Sequence, residues 1–189
     1  MNFTENNKIS ETGYWLFATE SKEHYYDIKL CNAIIELLLL NNIKSVYDFG
    51  CGHGKYTQEL SKVVPSITGF DGNPHTNLLP NCMVQDLSVA FKKEKVDSII
   101  CLEVAEHIPK EFEGVLLSNI TNNLNDSGLL ILSWAVEGQG GLGHVNCRNN
   151  DYVKNILSEY TFLEEESEKL RKECGVNWFR GTLMVFRKK

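Results

Sequence analysis

Residues 46–56 read Val46-Tyr47-Asp48-Phe49-Gly50-Cys51-Gly52-His53-Gly54-Lys55-Tyr56, and this stretch decides the fold. An apolar strand runs into an acidic residue, three glycines follow at alternate positions, and the next residues can begin a helix. Because glycine has no Cβ, the backbone of such a turn can approach a bound ligand closely. The stretch therefore predicts a strand, a turn and a helix that together bind a nucleotide-like ligand.

The pattern Asp-x-Gly-x-Gly-x-Gly at residues 48–54 resembles the first motif of class I S-adenosylmethionine (SAM) methyltransferases. It differs from the dinucleotide fingerprint Gly-x-Gly-x-x-Gly, because Lys55 stands where the third glycine of that fingerprint would be. This difference favours SAM over NAD as the ligand. The resemblance covers roughly residues 44–135 and returns in the tail.

Length and charge narrow the classes of function. A chain of 189 residues with 42% hydrophobic content suits one α/β domain. We divide it into a cover segment with the first helix (1–42), a SAM-binding core (43–135) and an acceptor-side part with a loop, a helix and the last strands (136–189). The net charge of −6 disfavours duplex nucleic acid as a partner.

No targeting, membrane or metal-binding cysteine pattern is visible in the sequence. The first residues lack a signal peptide, and the longest apolar run, residues 33–40, is short and interrupted by Glu36. The six cysteines contain no Cys-x-x-Cys pair, so neither a zinc site nor a redox site is indicated. We therefore expect a soluble cytoplasmic protein without membrane contact, either a monomer or a homodimer.

Apolar periodicity predicts alternating strands and helices along the chain. The first helix would begin at a Ser21 cap and end near residue 41. Strands are predicted at 45–49, 66–70, 82–85, 96–102, 129–134 and 182–186, further helices at 56–64, 109–124 and 151–160, and either a strand or a helix at 164–173. This alternation is typical of a parallel sheet covered on both faces. With the family resemblance, it predicts an α/β fold whose seven-stranded, mostly parallel twisted sheet has helices on both faces.

Acidic residues follow the ends of four predicted strands, where an open α/β sheet binds its ligand. Asp71 lies at the spacing from Gly50 at which a carboxylate accepts both ribose hydroxyls, although Asp71-Gly72-Asn73-Pro74 is also a good turn sequence. The resemblance implies that Asp86 accepts from the adenine amino group and that the N–H of Leu87 meets the ring; the alternative for Asp86 is a helix cap.

The methionine end of SAM should lie at the glycine turn. Asp48 and the backbone around Gly50 are expected to hold the ammonium group, whereas His53 and Lys55 are expected to be solvated. The full predicted cofactor set is Asp48, Gly50, Cys51, Gly52, Asp71, Gly72, Asp86, Leu87 and Glu103, with Cys51 serving mainly to pack the turn.

The segment Glu103-Val104-Ala105-Glu106-His107-Ile108-Pro109 should form the reaction end of the pocket. It follows a buried strand and precedes a helix, so Glu106 and His107 should lie near the transferred methyl group. Histidine is the usual general base near neutral pH. The alternative is that both residues only cap the helix at Pro109.

Glu-x-x-Glu-His is similar to a motif of ubiquinone-pathway O-methyltransferases and of plant small-RNA terminal 2′-O-methyltransferases. That resemblance implies a divalent cation held by Glu103, Glu106, His107 and a distant histidine, here His144. Many relatives carry Glu-His at this position without a metal, so both interpretations stay open.

Residues 134–146 contain four glycines within 138–143, which is unusual for a plain connector. We expect either a mobile lid or a row of backbone N–H groups facing an anionic acceptor, with a simple surface loop as the alternative. Arg148 and Arg180 are candidates for binding a phosphate or carboxylate. Tyr14 and Trp15 either cover this face or belong to the core of the first helix. The predicted acceptor contacts are Tyr14, Trp15, Trp134, Gly141, Asn146 and Arg180.

Together these residues predict a SAM-dependent methyltransferase acting on an oxygen or nitrogen of a small polar acceptor. The acceptor would be a sugar, nucleotide-sugar or related metabolite, and a weak resemblance suggests polysaccharide biosynthesis. His107, His144 and Glu106 are the predicted catalytic residues. Two alternatives remain: a metal-assisted small-RNA terminal 2′-O-methyltransferase, and a SAM-binding partner subunit without catalysis.

Overall fold

A seven-stranded sheet organises the computed structural model, which describes residues 9–16 and 25–189. The strands are β1 (Ser45–Phe49), β2 (Ser66–Asp71), β3 (Cys82–Val84), β4 (Val96–Cys101), β5 (Leu124–Ser133), β6 (Tyr160–Phe162) and β7 (Leu183–Lys188). Their order is β3-β2-β1-β4-β5-β7-β6, and only β7 runs antiparallel to its neighbours. The prediction of a mostly parallel seven-stranded sheet is confirmed.

Helices cover both faces of the sheet. They are α1 (Ile28–Leu40), α2 (Lys55–Leu60), α3 (Glu113–Asn123), α4 (Asn150–Ile156), α5 (Glu164–Glu173) and α6 (Phe179–Thr182). Because successive strand residues point to opposite faces, Ile99 packs with α3 and α4, whereas its neighbour Ile100 packs with α1, α2, α5 and α6. Apart from Asp48, Asp97 and one serine in each strand, β1 and β4 are therefore apolar, as expected for strands buried on two sides.

The N-terminus of α1 corrects the predicted helix start. Ser21 lies outside the described residues, and α1 begins at Ile28 with Asp27 as its N-cap. Asp27 Oδ1 accepts from the N–H groups of Lys29 and Leu30 at 3.0 and 3.1 Å. An aspartate satisfies these first N–H groups at least as well as a serine.

Several element boundaries also differ from the prediction. The predicted helix at 151–160 ends at Ile156, and Tyr160 instead begins β6, because β7 offers it a pairing partner that local sequence does not reveal. The ambiguous segment 164–173 is the helix α5, with glutamates in its first turn and basic residues in its last, as the helix dipole favours. The helix α2 ends at Leu60, and a 3-10 turn, Lys110–Phe112, precedes α3.

The strand order reverses between β1 and β4, and ligands of open α/β sheets bind outside such a point. The glycine turn follows β1, and the Glu103 segment follows β4. These two segments therefore face each other across the same crevice. Among residues 9–16 and 25–189, no helix combines the length and the apolar character needed to cross a membrane.

Candidate active site

A cavity of about 920 Å³ lies at the carboxyl ends of β1, β2 and β4. All nine residues of the predicted cofactor set line it, from Asp48 to Glu103. His107, His144, Tyr14, Trp15 and Gly141 line the same cavity. The structure thus brings the predicted cofactor and reaction ends together in one space.

The glycine turn has a backbone that only glycine adopts without strain. Gly50, Gly52 and Gly54 have φ values of 74°, 51° and 69°. A Cβ on Gly50 would lie 2.1 Å from Val104 Cγ2, so the turn packs directly against the Glu103 segment. The N–H groups of Gly50 and Cys51 both donate to the carbonyl of Phe70, at 2.7 and 3.1 Å. These bonds fix the turn to the end of β2.

Asp48 is buried beneath this turn. Thr57 Oγ1 donates to Asp48 Oδ2 at 2.7 Å. Burial raises the pKa of Asp48 to about 6, and the nearby Asp71 carboxylate adds to the rise. A cationic group bound beside Asp48 would favour its ionised form, which is the chemistry of a bound ammonium.

Asp71 and Asp86 both line the cavity and both accept structural hydrogen bonds. Asp71 accepts from the N–H groups of Gly52 and Asn73 at 3.0 and 2.9 Å, so the turn predicted at this aspartate is present. Asp86 Oδ1 accepts from Ser88 within a turn, with no helix following. A carboxylate has about four acceptor positions, so both residues keep acceptor capacity for hydroxyl or amino groups of a ligand.

The segment 9–16 folds over the cavity as a cover. Thr12 Oγ1 donates to Asp86 Oδ2 at 2.8 Å. A Cβ on Gly72 would lie 2.3 Å from the ring of Tyr14, so this ring rests on the Gly72 backbone. Trp15 packs edge-on to His107 with ring centres 6.3 Å apart. Tyr14 and Trp15 are therefore not core residues of the first helix, which starts at Ile28.

Glu106, His107 and His144 form a cluster at the reaction end, with one ligand atom from each residue within 4.8 Å of the others. The two imidazole rings are 5.0 Å apart. His107 Nδ1 lies 3.2 Å from the carbonyl oxygen of Gly143, and His144 Nδ1 lies 3.1 Å from that of Gln139. A carbonyl can only accept, so Nδ1 carries the proton in each contact and Nε2 carries the lone pair. Both histidines thus present a basic nitrogen.

Two buried carboxyl groups lie behind the histidines. Glu106 is fully buried, and neither of its carboxyl oxygens has a hydrogen-bond partner among the described residues. Burial raises the pKa of Glu106 well above its usual range, and the neighbouring Glu103 raises it further. Burial also raises the pKa of Glu103, whose Oε1 accepts from Ser133 Oγ at 2.8 Å. Glu103 lies outside the three-residue cluster.

The cluster fits a divalent cation. Two imidazole nitrogens and a carboxylate that lacks partners form a mixed donor set, which suits Mn²⁺, Fe²⁺ or Zn²⁺ better than Mg²⁺. The Nδ1 contacts to backbone carbonyls are the outer bonds that orient metal-bound histidines. The same arrangement also suits a metal-free general base, so the geometry supports both chemistries.

Comparison with known proteins identifies the family of the chain. A family model described as "Methyltransferase domain" matches residues 23–159. The chain belongs to this methyltransferase family. Its fold and cofactor are those of the class I SAM-dependent enzymes.

Individual relatives differ in what they act on. The chain is 30% identical over 107 residues to a ubiquinone biosynthesis O-methyltransferase of Glaesserella parasuis serovar 5 (strain SH0165), a match that spans 48% of this chain and 44% of the relative. The chain thus matches less than half of that relative's length. N-methyltransferase NodS from Bradyrhizobium japonicum WM9, solved with S-adenosylhomocysteine, superposes with a TM-score of 0.64 at 17% identity over 85% of both chains. CalS10, an amino pentose methyltransferase from Micromonospora echinaspora solved with SAM, superposes with a TM-score of 0.66 at 12% identity. The match covers 84% of this chain and 90% of CalS10.

Four residues proposed as acceptor contacts of the methyltransferase do not line the cavity. Trp134 is fully buried and donates from Nε1 to the carbonyl of Asn146 at 2.6 Å, because an indole N–H inside the core needs an acceptor. Asn146 and Arg148 turn away from the cavity to Glu113. Arg180 is exposed on α6. Trp134, Asn146 and Arg148 therefore stabilise the base of the glycine loop rather than line the cavity.

The glycine loop, residues 136–144, forms part of the roof of the methyltransferase cavity through Gln139, Gly140, Gly141 and Leu142. Two glycines make room for the histidines: a Cβ on Gly141 would lie 2.2 Å from the His144 ring, and one on Gly143 would lie 3.2 Å from His107 Nδ1. The glycine content is thus explained partly by close packing on the reaction end.

His53 and Lys55, which were expected to be solvated, line the cavity. Sequence reasoning also missed a group of aromatic residues that line one side of this cavity. The aromatic residues come from separate parts of the chain, so no spacing rule could group them. They are Tyr25, Tyr26, Tyr56, Trp178 and Phe179.

Proposed function

We propose that this methyltransferase moves the methyl group of SAM to an oxygen or nitrogen of a small polar acceptor, such as a sugar, an amine or a related metabolite. One observation carries the proposal: His107 and His144 line the same cavity as the acids predicted to bind SAM, and the buried Glu106 lies beside them. An oxygen or nitrogen that takes a methyl group must lose a proton, and a histidine lining the cavity could accept it.

Charge in the cavity favours an uncharged or cationic acceptor. Four carboxyl groups line it, those of Asp48, Asp71, Asp86 and Glu103. Among the described residues of the lining, Lys55 is the only lysine or arginine. A polyanion such as a nucleotide-linked sugar would meet repulsion here. The likeness to an amino pentose methyltransferase supports the class of acceptor that the charges favour.

In this mechanism, the chain's own residues bind, orient and accept a proton. Asp48 and Asp71 would hold the methionine and ribose parts of SAM, and segment 9–16, which lines the same cavity, would cover the bound cofactor. His107 or His144 then accepts the acceptor's proton at Nε2 as the methyl group moves in line. The Nδ1 contacts to Gly143 and Gln139 keep each ring in the orientation and tautomer that this step needs.

A divalent cation is the second way in which the cluster could activate an acceptor. Glu106, His107 and His144 would hold it, and it would lower the pKa of a bound acceptor hydroxyl. The unpartnered buried carboxyl of Glu106 supports this form of activation, since a bound cation would stabilise the ionised carboxylate that burial alone disfavours.

Replacement of the histidines tests the proposal. We expect His107→Ala and His144→Ala to lower kcat by about 10²- to 10⁴-fold in at least one of the two, with the dissociation constant of SAM unchanged. The assay is release of S-adenosylhomocysteine over a panel of sugars, amino sugars and amines. His75→Ala, at an exposed histidine outside the cavity, is the matched control.

The same assay separates the alternatives. Wild-type turnover in both histidine variants would reject the catalytic assignment. Recovery of activity in chelator-treated protein by Mn²⁺ or Zn²⁺ would assign the metal-assisted form, and full activity without any metal would assign the base. Methylation of an RNA 3′ end in place of every small acceptor would establish the RNA enzyme. SAM binding with no transfer to any acceptor would establish the partner subunit.

A further inference from the structure

Glu113, the first residue of α3, lies outside the cavity and accepts hydrogen bonds from three side chains. Its Oε2 accepts from Asn146 Nδ2 at 3.0 Å and from Arg148 Nε at 3.2 Å. Its Oε1 accepts from Tyr152 Oη at 2.6 Å. One carboxylate therefore joins the start of α3, the end of the glycine loop and the helix α4.

The physical setting favours an ionised Glu113. Burial alone would raise its pKa, but hydrogen bonds from Tyr152, Asn146 and Arg148 hold the pKa below its usual range. The guanidinium of Arg148 also lies over the Tyr152 ring, with Cζ 4.8 Å from the ring centre. These four side chains form a polar group centred on the Glu113 carboxylate at the base of the loop, which we call the Glu113 latch.

Backbone hydrogen bonds connect the latch to the segment that carries Glu106 and His107. The N–H groups of Val145 and Asn146 both donate to the carbonyl of Glu106, at 2.8 and 2.9 Å. The N–H of Arg148 donates to the carbonyl of Ala135 at 2.9 Å. His144 is therefore the last loop residue before a segment that is bonded on both sides, and its ring faces His107.

We propose that Glu113 is a positioning residue for methyl transfer, holding residues 145–148 in place so that His144 stays beside His107 and Glu106. The proposal rests on the function proposed above for His144. Glu113 lies outside the cavity and is not one of the predicted cofactor residues, so we expect its effect on methyl transfer to pass through residues 145–148 to His144. No residue of the latch lines the cavity, which separates this role from acceptor binding.

Hydrogen exchange tests the latch without reference to activity. Glu113→Gln keeps the side-chain shape but removes the charge that faces Arg148 and turns an NH₂ group toward one of the donors. We expect faster amide exchange at residues 144–148 and unchanged exchange in the glycine turn. Glu111→Gln, an exposed glutamate in the preceding 3-10 turn, is the matched control. Tyr152→Phe removes only one hydrogen bond and serves if Glu113→Gln fails to fold.

Kinetics then test whether the latch acts through His144. We expect Glu113→Gln to lower kcat by roughly tenfold to a hundredfold, the scale of a misplaced catalytic group, with the dissociation constant of SAM unchanged. In a His144→Ala background, Glu113→Gln should produce no further loss, because the residue that it positions is already gone.

Two results would overturn the proposal: unchanged exchange at residues 144–148 in a folded Glu113→Gln protein, or losses from Glu113→Gln and His144→Ala that multiply. The exchange measurement still tests the latch if His144 is not catalytic. In that case His144→Ala alone would keep full turnover, which marks failure of the proposed function rather than of the latch.

Discussion

The carboxyl group of Asp48 links the cofactor site to the pH dependence of folding. Burial raises the pKa of this carboxyl group from the usual 3.8 of an aspartate to about 6 in the folded protein. Between these two values the folded state binds more protons than the unfolded state, so the free energy of unfolding falls as pH rises. The contribution of Asp48 to stability is complete below about pH 4 and is lost as pH rises through about 6.

We therefore expect the wild-type protein to lose roughly 2 kcal/mol relative to Asp48→Asn between pH 4 and pH 7. Asparagine keeps an acceptor for Thr57 Oγ1 and does not titrate. Urea unfolding of both proteins at several pH values measures the difference. Asp151→Asn, at an exposed position on α4, controls for the loss of one acidic residue, and a pH-independent difference would contradict the linkage.

For single residues, local sequence patterns identified the side chains that follow strand ends, but they did not identify hydrogen bonds between residues distant in sequence. Asp48, Asp71 and the glycines were visible because they follow strand ends at fixed spacing. Glu113 gave no such indication, since an acid in the first turn of a helix is common on electrostatic grounds alone. Its three partners lie 33 to 39 residues further along the chain. Only the folded chain shows that they converge.

Helix α1 depends on one residue at its start. Asp27 accepts from four backbone N–H groups: those of Lys29 and Leu30 in α1, and those of Gly175 and Val176 in the loop before α6. It therefore caps the helix and also joins it to the segment that carries Trp178 and Phe179 of the cavity wall.

We expect Asp27→Ala to lower the free energy of unfolding by about 2–4 kcal/mol, because a cap is lost and two further N–H groups lose their buried acceptor. Denaturant titration measures this change. The control is Glu36→Ala on the same helix, where an exposed ion pair with Lys169 should contribute less than about 1 kcal/mol. Equal losses in the two variants would show that Asp27 has no special role.

Among the elements, buried central strands were predicted most closely and edge elements least. Strands β1, β2 and β4 read as apolar runs because helices cover both of their faces. The short edge strand β6 was missed, since Tyr160–Phe162 pairs only with β7, which lies more than twenty residues later. Pairing of this kind depends on tertiary contacts rather than on local preference.

For the whole molecule, ligand binding and folding should be coupled. The cavity joins the ends of three strands with segment 9–16 and the glycine loop, so SAM would contact parts of the fold that are distant in sequence. At a SAM concentration of 100 times its dissociation constant, we expect a gain of about 2.7 kcal/mol in the free energy of unfolding. For a chain of 189 residues this raises Tm by roughly 5–10 °C.

Thermal unfolding with SAM, S-adenosylhomocysteine and NAD measures this coupling. NAD should leave Tm unchanged, because Lys55 replaces the third glycine of the dinucleotide fingerprint. An equal shift with NAD, or none with SAM and S-adenosylhomocysteine, would contradict the cofactor assignment. At this scale the fold class and cofactor followed from the sequence because one motif sets both. The class of acceptor did not follow from the sequence, since the cover segment, the glycine loop and the residues at the start of α6 line the cavity without sharing a motif.

The glycine loop contains both positions that close packing restricts and positions that have room for a larger side chain. Gly141 and Gly143 are fixed by the two histidine rings, and the chain beyond His144 is fixed by the Glu113 latch. Gly140 and Leu142 line the cavity, and a side chain added at Gly140 meets open space. If the proposed function holds, a library randomised at these two positions would test whether the roof of the cavity sets the choice of acceptor, while Gly141, Gly143 and the latch stay unchanged.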